Sequence, residues 1–197
     1  MIIDISQEIF TCNVFPGDPA PDRNRIQSIA QGDLCNLTEF SMCAHNGTHV
    51  DAPFHFIHDA DTIDKISLNV FVGDCYVARC EGNVTAEDAV GILERARNAG
   101  ASERILIAGK ATVTAEAARI FADADIKLIG NESQTVGPED APMEVHRILL
   151  GADVVLLEGI VLTNVSEGNY FLSAAPLNLA GCDGAPCRAF LVPQIAD

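Results

Sequence analysis

The chain has no tryptophan, only five histidines, and 12 lysines and arginines against 28 aspartates and glutamates, for a formal net charge of -16. A surface this acidic repels phosphate groups, so we expect neither a nucleic acid nor a membrane as a partner. No uncharged apolar run reaches the roughly 18 residues of a membrane-spanning helix. The opening MIIDISQEIF lacks the basic residues of a secretion signal. We therefore expect a cytoplasmic protein.

Seven cysteines are present, an odd number without the paired spacing of a zinc knuckle. They are interpreted as small buried hydrophobic residues of a protein kept in a reducing compartment. The composition is otherwise that of a globular protein, with 48% hydrophobic residues over 197 positions. A chain of this length forms one core more readily than two, so residues 1–197 are predicted to be a single domain.

The hydrophobic pattern changes period along the chain. Short β-branched and apolar stretches in the first third and in the tail predict strands, and the middle alternates between strand and helix patterns. Thr85 and Thr114 are predicted N-caps, and Pro142 is predicted to open a third helix. The alternation predicts an α/β fold with a mixed sheet. The predicted helices cover 85–100, 114–125 and 142–153, and the predicted strands cover 2–6, 37–45, 75–80, 104–109, 127–130, 154–162, 169–179 and 187–193.

Three of the five histidines lie in HNGTHVDAPFH, residues 45–55. Glycine, asparagine, threonine, valine and proline make this stretch a poor helix, so an extended ribbon is predicted, with alternate side chains on opposite faces. One face then carries His45, His49, Asp51 and His55 together with Cys43 and Gly47. The other face, with Val50, Ala52, Phe54 and Phe56, is predicted to enter the core.

Imidazole nitrogen and carboxylate oxygen on one face suit zinc, manganese or iron(II), and a carboxylate between histidines can bridge two ions. The alternative is a surface strand whose histidines are merely solvated. Cys43 could join the ligands, but packing is the favoured role for it. Gly47 would leave room for a ligand near the backbone. His58 lies among Asp59 and Asp61 and is predicted to be solvated.

Two polar residues lie in apolar elements far along the chain. His146 is on the inward side of the third predicted helix, and Glu158 interrupts VVLLEGIVL. A buried carboxylate costs several kcal/mol unless a cation pairs with it. With so few lysines and arginines in the chain, a metal ion shared by His146 and Glu158 is the favoured interpretation, whereas a lone histidine in such a place is usually a satisfied core residue.

With these residues, the chain resembles the metal-dependent cyclase family, which includes bacterial kynurenine formamidases and isatin hydrolases. The segment 45–55 matches the family signature H-x-G-T-H-x-D-x-P-x-H, and further similarity lies in DIS, FPGDP, IDKISLNVFVG and the tract 156–191. The resemblance implies a swivelling β/β/α-type fold, usually a homo-oligomer such as a dimer or tetramer, that uses one or two zinc or manganese ions to hydrolyse a small-molecule amide.

The resemblance also assigns roles. His45, His49 and Asp51 would hold one ion, and Asp51 would bridge to a second ion held by His146 and Glu158. His55 would be the catalytic proton shuttle, a task for which imidazole is suited near neutral pH. Phe15 would contact the substrate, where the family's formamidases have tryptophan. GCDGAPC, residues 181–187, is interpreted only as a cluster of turns.

Two further departures affect the expected specificity. The stretch 110–113 is short where relatives have a longer aromatic loop. GNESQTVG, residues 130–137, corresponds to the family segment G-I-D-x-x-S-V-D and is interpreted as replacing its acids with Asn131, Glu132 and Gly137. The predicted activity is hydrolysis of a C–N amide bond, of the formylkynurenine or cyclic-amide type. A ring-forming lyase and a non-enzymatic metal-binding module are the alternatives.

Overall fold

The computed structural model describes residues 1–194 and is built on a nine-stranded mixed sheet. The strands in the order of the sheet are β1 (Ile3–Asp4), β13 (Phe190–Pro193), β11 (Gly168–Ser173), β5 (Val72–Arg79), β7 (Arg104–Ala108), β9 (Leu128–Asn131), β10 (Val155–Glu158), β4 (His49–Asp51) and β12 (Gly184–Pro186). The four strands β5, β7, β9 and β10 run parallel, and the strands beyond them pair antiparallel.

Two smaller strand pairs lie outside this sheet. A hairpin is formed by β2 (Asp22–Gln27) and β3 (Leu37–Ser41), and a short parallel pair by β6 (Gly82–Val84) and β8 (Ala111–Val113). Four helices complete the fold: α1 (Leu68–Phe71), α2 (Ala86–Asn98), α3 (Ala115–Asp123) and α4 (Met143–Leu150).

The caps predicted for the helices are confirmed. Thr85 and Asp88 form a capping box at the start of α2, in which each side chain bonds to the backbone N–H of the other residue. The Thr114 hydroxyl accepts a hydrogen bond from Ala117 N at the start of α3. Pro142 directly precedes α4. These bonds pair N–H groups that a helix start would otherwise leave without partners.

The sheet separates two hydrophobic cores. On one face, α2, α3 and α4 pack against residues such as Ile105, Ile107 and Ile129. On the other face, Val50, Leu106 and Leu157 pack with residues from the N-terminal and C-terminal strands. The prediction of an α/β fold with a mixed sheet is confirmed, and strands from both ends of the described chain share that sheet. The prediction of a single domain over 1–197 stays a prediction.

Several predicted elements differ in extent. The strand predicted over 37–45 ends at Ser41, and the one over 154–162 ends at Glu158. β2, β6, β8, β12 and α1 were not predicted. The sequence of β2, DRNRIQ, lacks the alternation of a half-buried strand because every residue in it is exposed.

The cysteines only partly follow the prediction. Cys75 is buried, Cys35 is exposed, and the other five are partly buried. All seven are free thiols. In the described part of the chain, no helix combines the length and apolarity that crossing a membrane requires.

Candidate active site

The short strand β4 brings together residues from distant parts of the chain. It lies between β10 and β12, with His49 opposite Glu158 on one side and Pro186 on the other. Directly opposite residues of antiparallel strands project to the same face, so His49 and Glu158 are neighbours. Val50 projects to the opposite face and is fully buried in the core. Strand register therefore places an imidazole beside a carboxylate 109 positions away in sequence.

The turn before β4 brings His45 back over the strand. Gly47 has φ of +63° in this turn, a conformation that favours glycine. His45 Nδ1 then lies 2.8 Å from Asp51 Oδ1. On the other side of the ring, a Cβ at Gly184 would lie only 2.8 Å from His45 Cε1, so a glycine is required there for the ring to pack against β12.

Two imidazoles direct their Nε2 atoms at the same pair of carboxylates. His49 Nδ1 lies 2.9 Å from Gly47 O, and His146 Nδ1 lies 2.9 Å from Pro142 O. Because a carbonyl oxygen only accepts, each Nδ1 carries the proton and donates it. His49 Nε2 is then 3.4 Å from Asp51 and 3.5 Å from Glu158. His146 Nε2 is 3.6 Å from Asp51 and 3.2 Å from Glu158.

The two carboxylates are buried and incompletely satisfied. Glu158 Oε1 accepts a hydrogen bond of 2.7 Å from Val136 N. Asp51 Oδ1 faces His45, but Asp51 Oδ2 has no hydrogen-bond partner among residues 1–194. A buried carboxylate oxygen without a partner is costly. The arrangement calls for additional positive charge between the carboxylates and the imidazoles.

The pKa values follow from this crowding. Burial alone lowers the pKa of His49, but Asp51 and Glu158 outweigh it and raise that pKa to about 9. The same balance, with the same two acids, raises the pKa of His146 to about 10. Burial would raise the pKa of Asp51, yet His146, His45 and His49 together hold it well below its usual value. The pocket thus favours cations strongly.

A divalent ion fits this donor set. Two groups of three residues, His45–Asp51–His55 and His49–Asp51–Glu158, bring one ligand atom each within 4.8 Å of one another, and Asp51 belongs to both. Donors about 2.0–2.1 Å from a tetrahedral ion lie about 3.4 Å apart, close to the distances between His49 Nε2 and the carboxylates. His49 and His146 would keep their Nδ1–H groups bonded to backbone carbonyls, as metal-bound histidines usually do.

His55 lies at the outer edge of this cluster. It ends a 3-10 turn, Pro53–His55, that follows β4. Its ring stacks on that of His45, with centroids 4.1 Å apart and planes inclined by 27°. His55 Nδ1 is 3.1 Å from Asp183 Oδ2, and the His55 side chain is 27% exposed. It is therefore the most solvent-accessible of the three histidines of the motif.

A cavity of about 220 Å³ opens onto the cluster. Phe15 and Phe56 supply apolar wall, and Phe15 and Asp18 belong to one tight turn, in which Asp18 N donates to Phe15 O over 3.1 Å. The lining contains no lysine or arginine among the described residues; it comprises Phe15, Asp18, His45, His49, His55, Phe56, Gln134, Thr135, Pro142, His146 and Glu158. All six metal-site and proton-transfer candidates except Asp51 line it directly.

The comparisons with known proteins agree with one another. A family model described as a putative cyclase matches residues 3–138. The chain is 32% identical to a kynurenine formamidase of Salinibacter ruber, covering 96% of each sequence. It is also 32% identical to a kynurenine formamidase of Bacillus cytotoxicus, covering 97% of each. The chain belongs to the cyclase family.

Solved structures have the same fold. A potential metal-dependent hydrolase with cyclase activity superposes with a TM-score of 0.80 at 28% identity, covering 97% of this chain and 96% of the other. An isatin hydrolase bound to the product analogue thioisatinate superposes equally well, with a TM-score of 0.80 over 98% and 92% of the two chains, at 18% identity. The predicted swivelling fold of the cyclase family is confirmed.

The extended ribbon predicted for 43–55 is wrong in this cyclase-family chain. Only His49–Asp51 is a strand; it is preceded by a turn and followed by the 3-10 turn at Pro53–His55. The two turns bring His45 and His55 to the side that a continuous ribbon would also have given them. Alternation holds for Val50 and Ala52, which are fully buried, but fails for Phe54, which is 42% exposed.

Other details of the motif also differ. A Cβ at Gly47 would meet Cys12 and Ile9 at 3.1 Å, so the glycine allows close packing rather than ligand access. Cys43 belongs to neither group of potential metal ligands, in line with the packing role favoured for it. His58 is 92% exposed and pairs only with Asp59, as its predicted solvation required.

Three residues near the cluster were missed by the sequence argument. Asp18 and Gln134 line the cavity, and Gln134 Nε2 donates to Gly47 O over 2.9 Å. Asp183 Oδ2 contacts both His45, at 2.9 Å, and His55. Asp183 lies in the tract interpreted as a cluster of turns, which contains strand β12. Because Asp183 is distant in sequence from every other site residue, no local sequence pattern marked it as part of the site.

The departures from the family pattern have structural roles. Glu132 accepts hydrogen bonds from Gly109 N and Leu162 N, and Asn131 donates to Ala111 O and Thr135 O. Residues 111–113 form β8 rather than a loop over the cavity. These hydrogen bonds connect the end of β9 to Gly109, Ala111 and Leu162.

Proposed function

We propose that this chain is a metal-dependent hydrolase that cleaves a C–N amide bond of a small molecule, of the arylformamidase or cyclic-amide type. The observation that carries the proposal is the buried carboxylate of Asp51, which lies beside His45, His49 and His146 and has one oxygen without a hydrogen-bond partner among residues 1–194. The kynurenine formamidases that resemble the chain along nearly its whole length support hydrolysis over the ring-closing alternative.

The proposed ligands are His45, His49 and Asp51 for one ion, and Asp51, His146 and Glu158 for a second. Nitrogen and oxygen donors without cysteine suit zinc or manganese. A divalent ion bound there supplies a Lewis acid that acidifies water and polarises a carbonyl oxygen. The protein contributes the orientation of the donors, since the backbone carbonyls of Gly47 and Pro142 hold two of the rings.

His55 is the proposed proton carrier. Its Nδ1 faces Asp183, and among the described residues its Nε2 has no hydrogen-bond partner, so that atom is free to exchange protons with a reacting group. A histidine at the rim of the cavity can take a proton from attacking water and deliver it to the departing nitrogen. Being partly exposed, it can also return to its starting protonation state through solvent.

The cavity limits what part of a substrate can enter. Its volume, about 220 Å³, is below the roughly 300–1,000 Å³ typical of pockets that enclose a drug-sized ligand. The scissile amide and an adjoining ring edge fit between Phe15 and Phe56, while the remainder of a larger substrate would lie outside. Acidic residues and the absence of lysine and arginine in the described lining favour substrates without a negatively charged group at this point.

Removing the metal tests the proposal. We expect dialysis against a chelator to lower kcat/KM for a formanilide at least about 100-fold, because an ion contributes several kcal/mol to stabilising the transition state. Zinc or manganese should restore the rate. By mass spectrometry, a formanilide should give an aniline and formate, whose masses together equal the substrate plus one water, and a cyclic amide should give a single product one water heavier. Magnesium serves as the matched control ion. Equal activity of metal-free protein, or products whose masses together do not include one added water, would overturn the proposal.

Phe15 is the proposed contact with the substrate. We expect Phe15→Ala to raise KM for formanilide about 5- to 10-fold with kcat nearly unchanged, because the half-buried ring loses about 1 kcal/mol of apolar contact. Phe171→Ala removes an exposed phenylalanine from β11, outside the cavity, and is the control. A change in kcat instead of KM would place Phe15 in the chemical step rather than in binding.

We also propose that the chain forms a homodimer through the β2–β3 hairpin. All 11 residues of its two strands are exposed, and an isolated two-stranded hairpin is only marginally stable in water. Ile29 and Leu34 extend from its tip, and an apolar groove of about 670 Å³ lies at its base, lined in part by Phe10, Phe40 and Leu177. Each chain carries both the hairpin and the groove. In a two-fold symmetric dimer, the hairpin of each chain can therefore pack into the groove of the other.

Light scattering after gel filtration tests the dimer. We expect the mass of two chains at micromolar concentration, and the mass of one chain for Leu34→Asp combined with Phe40→Asp. Leu68→Asp, an exposed leucine outside hairpin and groove, is the control and should leave the dimer intact. A single-chain mass for the unmodified protein would contradict the proposal.

The free cysteines support the proposed cytoplasmic location. All seven are unpaired, including the exposed Cys35. Exposed free thiols persist in reducing compartments and oxidise elsewhere.

A further inference from the structure

Among residues 1–194, Asp183 is the one carboxylate outside the proposed ligand set that touches two histidines of the motif. Its Oδ2 lies 2.9 Å from His45 Nε2 and 3.1 Å from His55 Nδ1. Hydrogen bonds from His45 and His55 hold the pKa of Asp183 well below its usual value, so the carboxylate is charged and acts only as an acceptor.

The backbone holds Asp183 firmly in this place. Asp183 O accepts a hydrogen bond of 2.9 Å from Ala52 N, and Cys182 O accepts one of 3.0 Å from Ile63 N. The next residue, Gly184, starts β12 opposite Asp51. The carboxylate is therefore registered against the same strand that carries the histidine motif, and its position does not depend on a free loop.

We propose that Asp183 is a positioning residue for His55. By accepting the Nδ1 proton, the carboxylate fixes the tautomer of the neutral ring with Nε2 as the acceptor, and stacking on His45 fixes the plane of that ring. This inference rests on the proposed role of His55 in hydrolysis.

The expected effect is on turnover rather than on binding. Loss of an orienting partner of this kind costs about 10- to 100-fold. We expect Asp183→Asn to lower kcat for formanilide by that factor, with KM within about threefold, and to leave the bound metal unchanged by elemental analysis. The Asp183 side chain is 42% exposed, so the isosteric amide should not disturb folding.

A double-mutant cycle separates positioning from a general structural role. If Asp183 acts through His55, adding Asp183→Asn to His55→Gln should change kcat by no more than about twofold, because independent effects would multiply instead. Asp183→Ala carries the same expectation and serves if the amide variant folds poorly. Asp59→Asn, in the exposed His58–Asp59 pair, is the matched control and should not alter kcat.

The outcomes distinguish this inference from the proposed function. A slow His55→Gln enzyme together with a normal Asp183→Asn enzyme would overturn the positioning role alone. Metal loss on Asp183→Asn would also overturn it, since the residue would then act through His45. A normal rate for His55→Gln would overturn the role of His55 and the inference with it. Full multiplication of the two effects in the double variant would show that Asp183 does not act through His55.

Discussion

Replacing Asp51 with asparagine is expected to abolish tight metal binding and to lower kcat/KM for formanilide at least about 100-fold. Asp51 is the only residue common to both groups of potential ligands, and it is buried with one oxygen that lacks a protein partner. Breaking a buried ionic cluster by removing one member costs about 3–5 kcal/mol, which corresponds to roughly 100- to 1,000-fold or more in affinity. Both proposed ions would be affected at once.

Elemental analysis of the purified variant measures this effect directly, with circular dichroism to establish that it is folded. Asp61→Asn is the matched control, because Asp61 is exposed and contributes only its backbone carbonyl to a hydrogen bond. If the Asp51 variant kept its full metal content, Asp51 would not be a metal ligand, and its unpaired oxygen would have no explanation.

His55→Gln is expected to keep the metal and lose turnover. Proton transfer by a positioned side chain contributes about 100- to 10,000-fold, and glutamine fills much of the same space without exchanging protons near neutral pH. We therefore expect kcat to fall within that range while metal content stays unchanged. Because His55 is the most exposed of the motif histidines, the substitution should also have little effect on stability.

The same variant decides between two roles for His55. Its ring also belongs to the group His45–Asp51–His55, so it has the position of a possible ligand. Loss of metal from the glutamine variant would identify His55 as a ligand and contradict the proton-carrier role. His58→Gln is the control, since His58 is a neighbouring histidine that is almost fully solvated.

His146 and Glu158 of the candidate site could be predicted because each is a polar residue in an otherwise apolar element. His146 on an apolar helix face and Glu158 at the end of an apolar strand are buried polar groups in a chain poor in cations, and the structure places both beside Asp51. Because burying an unpaired polar group costs free energy, both residues could be recognised as unusual without knowledge of the fold. Helix caps at Thr85 and Thr114 were predictable for a similar reason, since capping is local.

Residues whose role depends on long-range register gave no such signal. Asp183 is one of many acids in the sequence, and only the pairing of β12 with β4 places it beside His55. The β2 strand escaped prediction because it is not covered within the chain, so that no burial pattern forms along it. The extended conformation predicted for 43–55 was wrong, although the predicted residues do lie close together. Two turns around a short strand can bring side chains to one place as well as a continuous strand can.

The placement of β4 between β10 and β12 has a consequence for biosynthesis. A nascent chain that has just released the histidine motif from the ribosome still lacks both of its flanking strands, which come from residues 155–158 and 184–186. The cation site cannot close until residues 184–186 have emerged. Loading with an ion is therefore a late step in maturation, and a chain interrupted before residue 184 would be left with its motif open to water.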